Sequence, residues 1–193
     1  YKKMEEYNEA ISVYEKAIKL KPDYYEAYNN LGAVLGKKEQ YEEAIEAYNK
    51  ALSIKPDYSE SFYNLGHALQ YLGKQKEALS AYKKALVIRP DYVEAYINIG
   101  AILSGQGKLE EALESYKKAL VIKPDSAEAY SNIGNALQDQ GKPKEAIAAY
   151  KKALEINPDF SEAKAEMGEC LIRVGEFDEG RSLIQKADGS ISL

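Results

Sequence analysis

The chain has 193 residues, of which 45% are hydrophobic and 30% charged, and a formal net charge of −5. That composition suits a globular chain with a substantial core, and its acidity argues against nucleic acid as a partner, which calls for clustered Lys and Arg. No run of about 18 apolar residues is written here, no basic-then-apolar leader opens the chain, and a single cysteine excludes an internal disulfide, so the expectation is a cytoplasmic protein that is not inserted in a membrane.

The chain is organised by a period. Pro22, Pro56, Pro90, Pro124 and Pro158 follow one another at 34-residue steps, and so do glycines 32, 66, 100, 134 and 168. Alanines 10, 44, 78, 112 and 146, alanines 17, 51, 85, 119, 153 and 187, and tyrosines 14, 48, 82, 116 and 150 keep the same step. Such a repeat is read before any local motif. Residues 1–24 hold the end of one repeat, mostly its second helix. Four complete repeats follow at 25–58, 59–92, 93–126 and 127–160, and residues 161–193 hold a degenerate capping repeat and a tail.

Each repeat reads as two helices. The first shows apolar residues at helical spacing, as in Phe62, Leu65, Leu69 and Leu72. Its start carries P-D-x-x-E five times (Asp23/Glu26, Asp57/Glu60, Asp91/Glu94, Asp125/Glu128 and Asp159/Glu162). We read this as a capping box, with the Asp accepting from first-turn N–H groups and the Glu reaching back. Gly73, Gly107, Gly141 and Gly175 end the first helix, where a left-handed residue is needed. The second helix, for example KEALSAYKKALVI at 76–88, stops at the next proline.

This grid disposes of one tempting motif. GAILSGQGK at 100–108 resembles a phosphate-binding loop, but its spacing fails by one insertion and Leu109 stands where a hydroxyl is needed. Gly107-Lys108 is instead a turn between helices, repeated as Gly73-Lys74 and Gly141-Lys142. We read Gly100 as facing Ala112 across the hairpin, with Gly32/Ala44, Gly66/Ala78 and Gly134/Ala146 as its counterparts.

The pattern aromatic-x₂-[LI]-G-x₂-L, then A-x₃-Y-x₂-A, then P, resembles the tetratricopeptide repeat. It is carried by Tyr28/Leu31/Gly32/Leu35, Phe62/Leu65/Gly66/Leu69, Tyr96/Ile99/Gly100/Leu103 and Tyr130/Ile133/Gly134/Leu137. The resemblance implies an all-α fold, a right-handed superhelical solenoid of antiparallel helix pairs whose first helices line a concave groove. In residues 161–193 Lys164 replaces the aromatic, Gly180 replaces an alanine, Arg181 and Asp188 replace Ile or Leu, and no proline closes the unit. That fits a terminal pair with a polar outer face. The tail DGSISL lies outside the pattern.

The family's concave face takes Asn30, Asn64, Asn98 and Asn132, one per repeat. A carboxamide donates and accepts at once, so a row of them can pair with a peptide backbone of any sequence. The run Tyr-Ser-Asn-Ile-Gly-Asn at 130–135, which adds Asn135, is similar to repeats of O-linked N-acetylglucosamine transferases. Asparagine is also common at this position across the family, so repeat consensus is an alternative reading. Tyr63, His67 and Tyr71 fall at i, i+4 and i+8 on a stripe opposite the core residues Phe62, Leu65 and Leu69. They are candidates for a peptide or side-chain pocket, against the alternative of scattered surface aromatics.

Other features resolve to structure. His67 has no second His and no nearby Cys, so no metal site is expected. The cations of a carboxylate clamp are missing, since Asn29, Ala33, Asn64, Glu94 and Asn98 occupy those positions. The Lys pairs 83/84, 117/118 and 151/152 read as solvated faces, with Glu46/Lys50 and Glu114/Lys118 in the favourable order. Cys170 joins Met167, Leu171 and Val174 on an apolar stripe and reads as packed.

No catalytic constellation stands outside the grid, so we expect no enzyme and no cofactor. The leading expectation is a peptide- or protein-binding scaffold working through its groove. Two alternatives are carried. One is self-assembly into a homo-oligomer through exposed solenoid ends around Ile11, Tyr14 and Ile18. The other is the repeat portion of a larger enzyme such as a glycosyltransferase, in keeping with a chain that opens on Tyr1.

Overall fold

The computed structural model describes residues 2–188, and the tail at 189–193 lies outside the described residues. Among the described residues there are eleven α-helices and no strand. They are α1 Lys2–Leu20, α2 Tyr25–Lys37, α3 Tyr41–Ile54, α4 Ser59–Tyr71, α5 Gln75–Ile88, α6 Val93–Gly105, α7 Leu109–Ile122, α8 Ala127–Asp139, α9 Pro143–Ile156, α10 Ser161–Arg173 and α11 Phe177–Ala187. The chain forms two compact units, Tyr1–Ala95 and Tyr96–Leu193, whose boundary falls within α6. In the first, α1 packs on α2, α2 pairs with α3, α3 meets α4, and α4 pairs with α5. In the second, α7 meets α8, α8 pairs with α9, α9 meets α10, and α10 pairs with α11.

The grid alanines lie in the core. Ala44, Ala51, Ala78, Ala85, Ala112, Ala119, Ala146 and Ala153 are all fully buried. The hairpin glycines have a nearer neighbour than the expected alanine. A Cβ on Gly32, Gly66, Gly100 or Gly134 would lie 2.6, 2.7, 2.4 or 2.4 Å from the ring of Tyr48, Tyr82, Tyr116 or Tyr150. Each glycine is therefore the seat of a tyrosine ring sixteen residues on, which comes nearer to it than the alanine twelve residues on. In the terminal hairpin the nearest approach is backbone to backbone, where Gly168 and Gly180 would each drive a Cβ to 2.7 Å from the other's carbonyl oxygen. There Ile184 takes the place of the tyrosine.

The turns inside the hairpins share one hydrogen-bond scheme. In the α4–α5 turn the Gly73 N–H donates to the Gln70 carbonyl at 2.9 Å and the Lys74 N–H to the Leu69 carbonyl at 2.9 Å. This is a Schellman closure, which places the glycine in the left-handed region. Gly73, Gly107, Gly141 and Gly175 have φ of 72°, 74°, 72° and 95°. The α2–α3 turn closes in the same way, Glu39 N–H to the Gly36 carbonyl and Gln40 N–H to the Leu35 carbonyl, each at 3.0 Å. It does so with a glutamate at φ 62°, the residue 34 positions before Gly73. A side chain there pays a Cβ–carbonyl clash that glycine avoids.

The turns between hairpins correct the capping-box expectation. The Tyr24 N–H donates to the Lys21 carbonyl at 3.1 Å, Tyr92 to Arg89 at 3.2 Å and Phe160 to Asn157 at 3.2 Å. The proline and aspartate are thus the two central residues of a β-turn, with proline where its fixed φ is favoured. The turn uses up the aspartate, and Tyr24, Tyr58, Ser126 and Phe160 become the N-caps of α2, α4, α8 and α10. Only Ser126 among these four caps with its side chain, accepting from the Ala129 N–H at 3.3 Å. The turn also brings the residue before proline onto the aromatic after aspartate. Lys21 lies 5.0 Å from the Tyr24 ring, Lys55 5.6 Å from Tyr58, and Arg89 3.2 Å from Tyr92, all cation–π contacts.

Two outcomes follow for stability. Glu39→Gly relieves the left-handed glutamate at the cost of a looser unfolded chain. The net gain is about 0.5–1 kcal/mol, read as a rise of roughly 1–4 °C in melting temperature. Gly134→Ala overpacks the Tyr150 ring and costs about 1–3 kcal/mol in urea unfolding. The same change costs less in a Tyr150→Leu background, since the two residues touch.

Candidate functional site

A concavity of the first unit lies where α2, α3 and α4 meet. It is a cleft of about 320 Å³ lined by Ala33, Gly36 and Lys37 of α2, Tyr41 and Tyr48 of α3, and Asn64, His67, Ala68 and Tyr71 of α4. Tyr41 and Tyr71 form one wall, their rings stacked at 4.7 Å and 6° from parallel. His67 meets Tyr71 edge-on at 4.9 Å. The stack joins residues that start α3 and end α4, so it holds only while both helices keep their places.

The cleft exists because of one residue type. Gly36 sits at the position that α4 and α8 give to Gln70 and Gln138, 34 and 102 residues on. In those hairpins the glutamine carbonyl accepts from the tyrosine hydroxyl, Tyr82 Oη to Gln70 Oε1 at 3.0 Å and Tyr150 Oη to Gln138 Oε1 at 3.2 Å. Gln138 Oε1 also accepts from Cys170 Sγ at 3.0 Å. Gly36 leaves Tyr48 without that group, and a Cβ built on it would have only the Tyr48 hydroxyl near it, at 4.0 Å. A void with a phenol at its floor is the result.

A polar network braces the α4 side. Asn29, fully buried, accepts through Oδ1 from Ser61 Oγ at 2.9 Å and from Asn64 Nδ2 at 3.1 Å. Its own Nδ2 donates to Glu60 Oε1 at 3.5 Å, and Tyr58 Oη donates to Glu60 Oε2 at 3.1 Å. Asn64 is thereby oriented at the cleft by a residue from the preceding hairpin. Burial holds the His67 imidazole below its ordinary pKa, which favours the neutral ring. Burial, then the neighbouring Tyr71, pushes the Tyr41 phenol up. Burial does the same for Tyr48, with a smaller contribution from Glu60. Lys37 is the one cation among the lining residues.

The expected site residues therefore divide. Asn64, His67 and Tyr71 come together in the cleft. Tyr63 packs elsewhere, stacked on Tyr92 at 4.6 Å and tilted against Tyr82 at 5.6 Å. Asn30 is exposed and does not line the cleft, while its neighbour Asn29 is the buried hub. Asn98 and Asn132 belong to the second unit and are half-buried. Asn135 accepts from the Tyr150 hydroxyl at 2.6 Å, a bond inside its own hairpin. The sequence reading missed Asn29, Gly36, Tyr41 and Tyr48. The signal for Gly36 was present, as a glycine in a register that holds glutamine twice.

Other chemistry finds little support in the described residues. No group of three His, Cys, Asp or Glu is placed to hold a metal, and no helix is long and apolar enough to cross a membrane. Cys170 is fully buried, and burial pushes its thiol pKa up, which fits packing. Glu114 and Lys118 form the expected pair at 2.7 Å with both side chains largely in water.

Comparison with known proteins agrees with this architecture. No curated protein sequence gives a significant match. Among solved structures, the MamA protein is 29% identical with a TM-score of 0.72, over 81% of this chain and 85% of that one. The pilF protein of Pseudomonas aeruginosa is 25% identical with a TM-score of 0.77, over 84% and 76%. YrrB, described as a TPR protein with an unusual peptide-binding site, is 22% identical with a TM-score of 0.71 over 90% of each chain, and it shares the fold. Over residues 1–191 the chain matches, and belongs to, the tetratricopeptide-repeat family described as the cilia and flagella-associated protein 70 C-terminal domain.

Proposed function

We propose that this chain is a non-catalytic scaffold that holds an extended segment of a partner protein, and that the Tyr41–His67–Tyr71 cleft anchors one side chain of that segment. Tetratricopeptide proteins in general mediate protein–protein interaction. The observation that carries the finer reading is the cleft itself. Its volume of about 320 Å³ stands at the small end of ligand sites, too small for a folded domain and adequate for a side chain with its flanking backbone. Stacked aromatic walls around a polar floor make the kind of desolvated pocket in which binding energy concentrates. The Asn29 network fixes Asn64 in advance, which lowers the ordering cost of contact. In this reading exposed Asn30 in the first unit, and Asn98 and Asn132 in the second, each offer a carboxamide to a partner backbone.

A second reading, self-association, draws on exposed apolar side chains. In α1, Val13 is 61% exposed, beside Ile11, Tyr14 and Ile18, which are half-buried. Sedimentation over a hundredfold range of concentration separates the two, and a monomer throughout ends this second reading.

For the scaffold, peptides selected from a displayed library against the wild type are titrated against Tyr71→Ala by calorimetry. The expected result is a loss of affinity of about tenfold or more at unchanged melting temperature, the size of a hot-spot residue. Equal affinities for both proteins would overturn the anchoring role of the cleft.

A further inference from the structure

Resting on that reading, we infer that the cleft selects a side-chain carboxamide, the glutamine of a partner segment, whose carbonyl takes the place on Tyr48 that Gln70 and Gln138 occupy in the chain's own hairpins. The template is internal. Twice the chain closes the space beside a buried tyrosine with a glutamine carbonyl, at 3.0 and 3.2 Å from the hydroxyl. At Gly36 it supplies the tyrosine and omits the glutamine.

The groups around the void favour an amide over its charged and apolar isosteres. The Tyr48 hydroxyl donates to a carbonyl, and the neutral imidazole of His67 and the carboxamide of Asn64 offer acceptors for an amide N–H. Glu60, close enough to Tyr48 to raise its pKa, repels a carboxylate, while Lys37 attracts one. The two fields oppose, and a neutral group with both donor and acceptor escapes the conflict. An aliphatic chain would leave the Tyr48 hydroxyl desolvated and unpaired, which costs more than an unmade bond at the surface. The stacked pair Tyr41/Tyr71 offers a flat wall for the methylene stem of a glutamine.

The test uses three capped peptides, Ac-Ala-Ala-Xaa-Ala-Ala-NH2 with Xaa as glutamine, glutamate or norleucine. They are titrated into the full chain and followed by the methyl NMR signals of Ala33 and Ala68, which line the cleft. The expected result is saturable shifts with the glutamine peptide and about fivefold weaker binding for the other two, the worth of one hydrogen bond. Norleucine binding as well as glutamine, or glutamate binding better, would overturn the amide and leave the anchoring cleft standing. If all three leave both methyls unmoved, the anchoring cleft falls as well. A second arm fills the void from within. Gly36→Gln should raise the melting temperature above that of Gly36→Ala, which shares its gain in helix propensity, and should abolish binding of the glutamine peptide. Equal melting temperatures for the two variants would overturn the Tyr48–carbonyl template even if a peptide bound.

Discussion

Everything in these hairpins depends on a tyrosine ring lying on a glycine. Tyr48, Tyr82, Tyr116 and Tyr150 reach back to Gly32, Gly66, Gly100 and Gly134 at distances that leave no room for a methyl group. The ring is large and stiff, so it sets the separation of the two helices more sharply than a flexible aliphatic chain could. The fully buried alanines on either side then complete the contact without competing for the space. The terminal hairpin reaches close approach by another route, backbone against backbone at Gly168 and Gly180. That solution needs no ring and leaves Ile184 to fill what remains.

A tyrosine so placed brings its hydroxyl to the edge of the core, where a polar group must be met or solvated. The chain answers this differently from repeat to repeat. Gln70 and Gln138 turn their carbonyls onto the hydroxyls of Tyr82 and Tyr150, and in the second case the buried Cys170 shares the same acceptor. Gly36 gives no answer, and a cleft opens in its place. The candidate site is thus a local exception to a structural rule, braced by a stack between Tyr41 and Tyr71 that recurs nowhere in the repeat grid.

Much of this was legible in the sequence, because period and turn chemistry are local. The 34-residue step placed the helices, and four glycines marked turns that the structure closes with left-handed residues. Glu39 stayed hidden because its type says nothing of φ; only its register with Gly73 betrays it. The aspartates were misread as caps because spacing alone cannot tell a residue inside a β-turn from the one after it. Glycine and alanine twelve apart advertise a close approach without saying what comes closest, which is the tyrosine ring sixteen residues on. Of the eight expected site residues, Asn64, His67 and Tyr71 meet in one cleft, because helical periodicity reports a shared face. Tyr63 departs from that stripe because Tyr92, across the next turn, offers its ring a better seat.

The turns between hairpins carry one more implication. Where lysine or arginine precedes proline and tyrosine follows aspartate, as at 21–24 and 89–92, the junction is self-sufficient, its cation–π contact and its hydrogen bond drawn from four consecutive residues; Ser126 and Asn157 break that pattern at the later two. A segment of 34 residues bounded by such junctions is a module that gene duplication can copy without redesigning its ends. The cleft is not modular in that sense. It takes α2 and α3 from one copy and α4 from the next, and it requires those copies to differ at Gly36, Tyr41, His67 and Tyr71. The framework is what the repeats share, whereas the cleft rests on what sets neighbouring repeats apart, and a glutamine at position 36, as the chain has at 70 and 138, would occupy it.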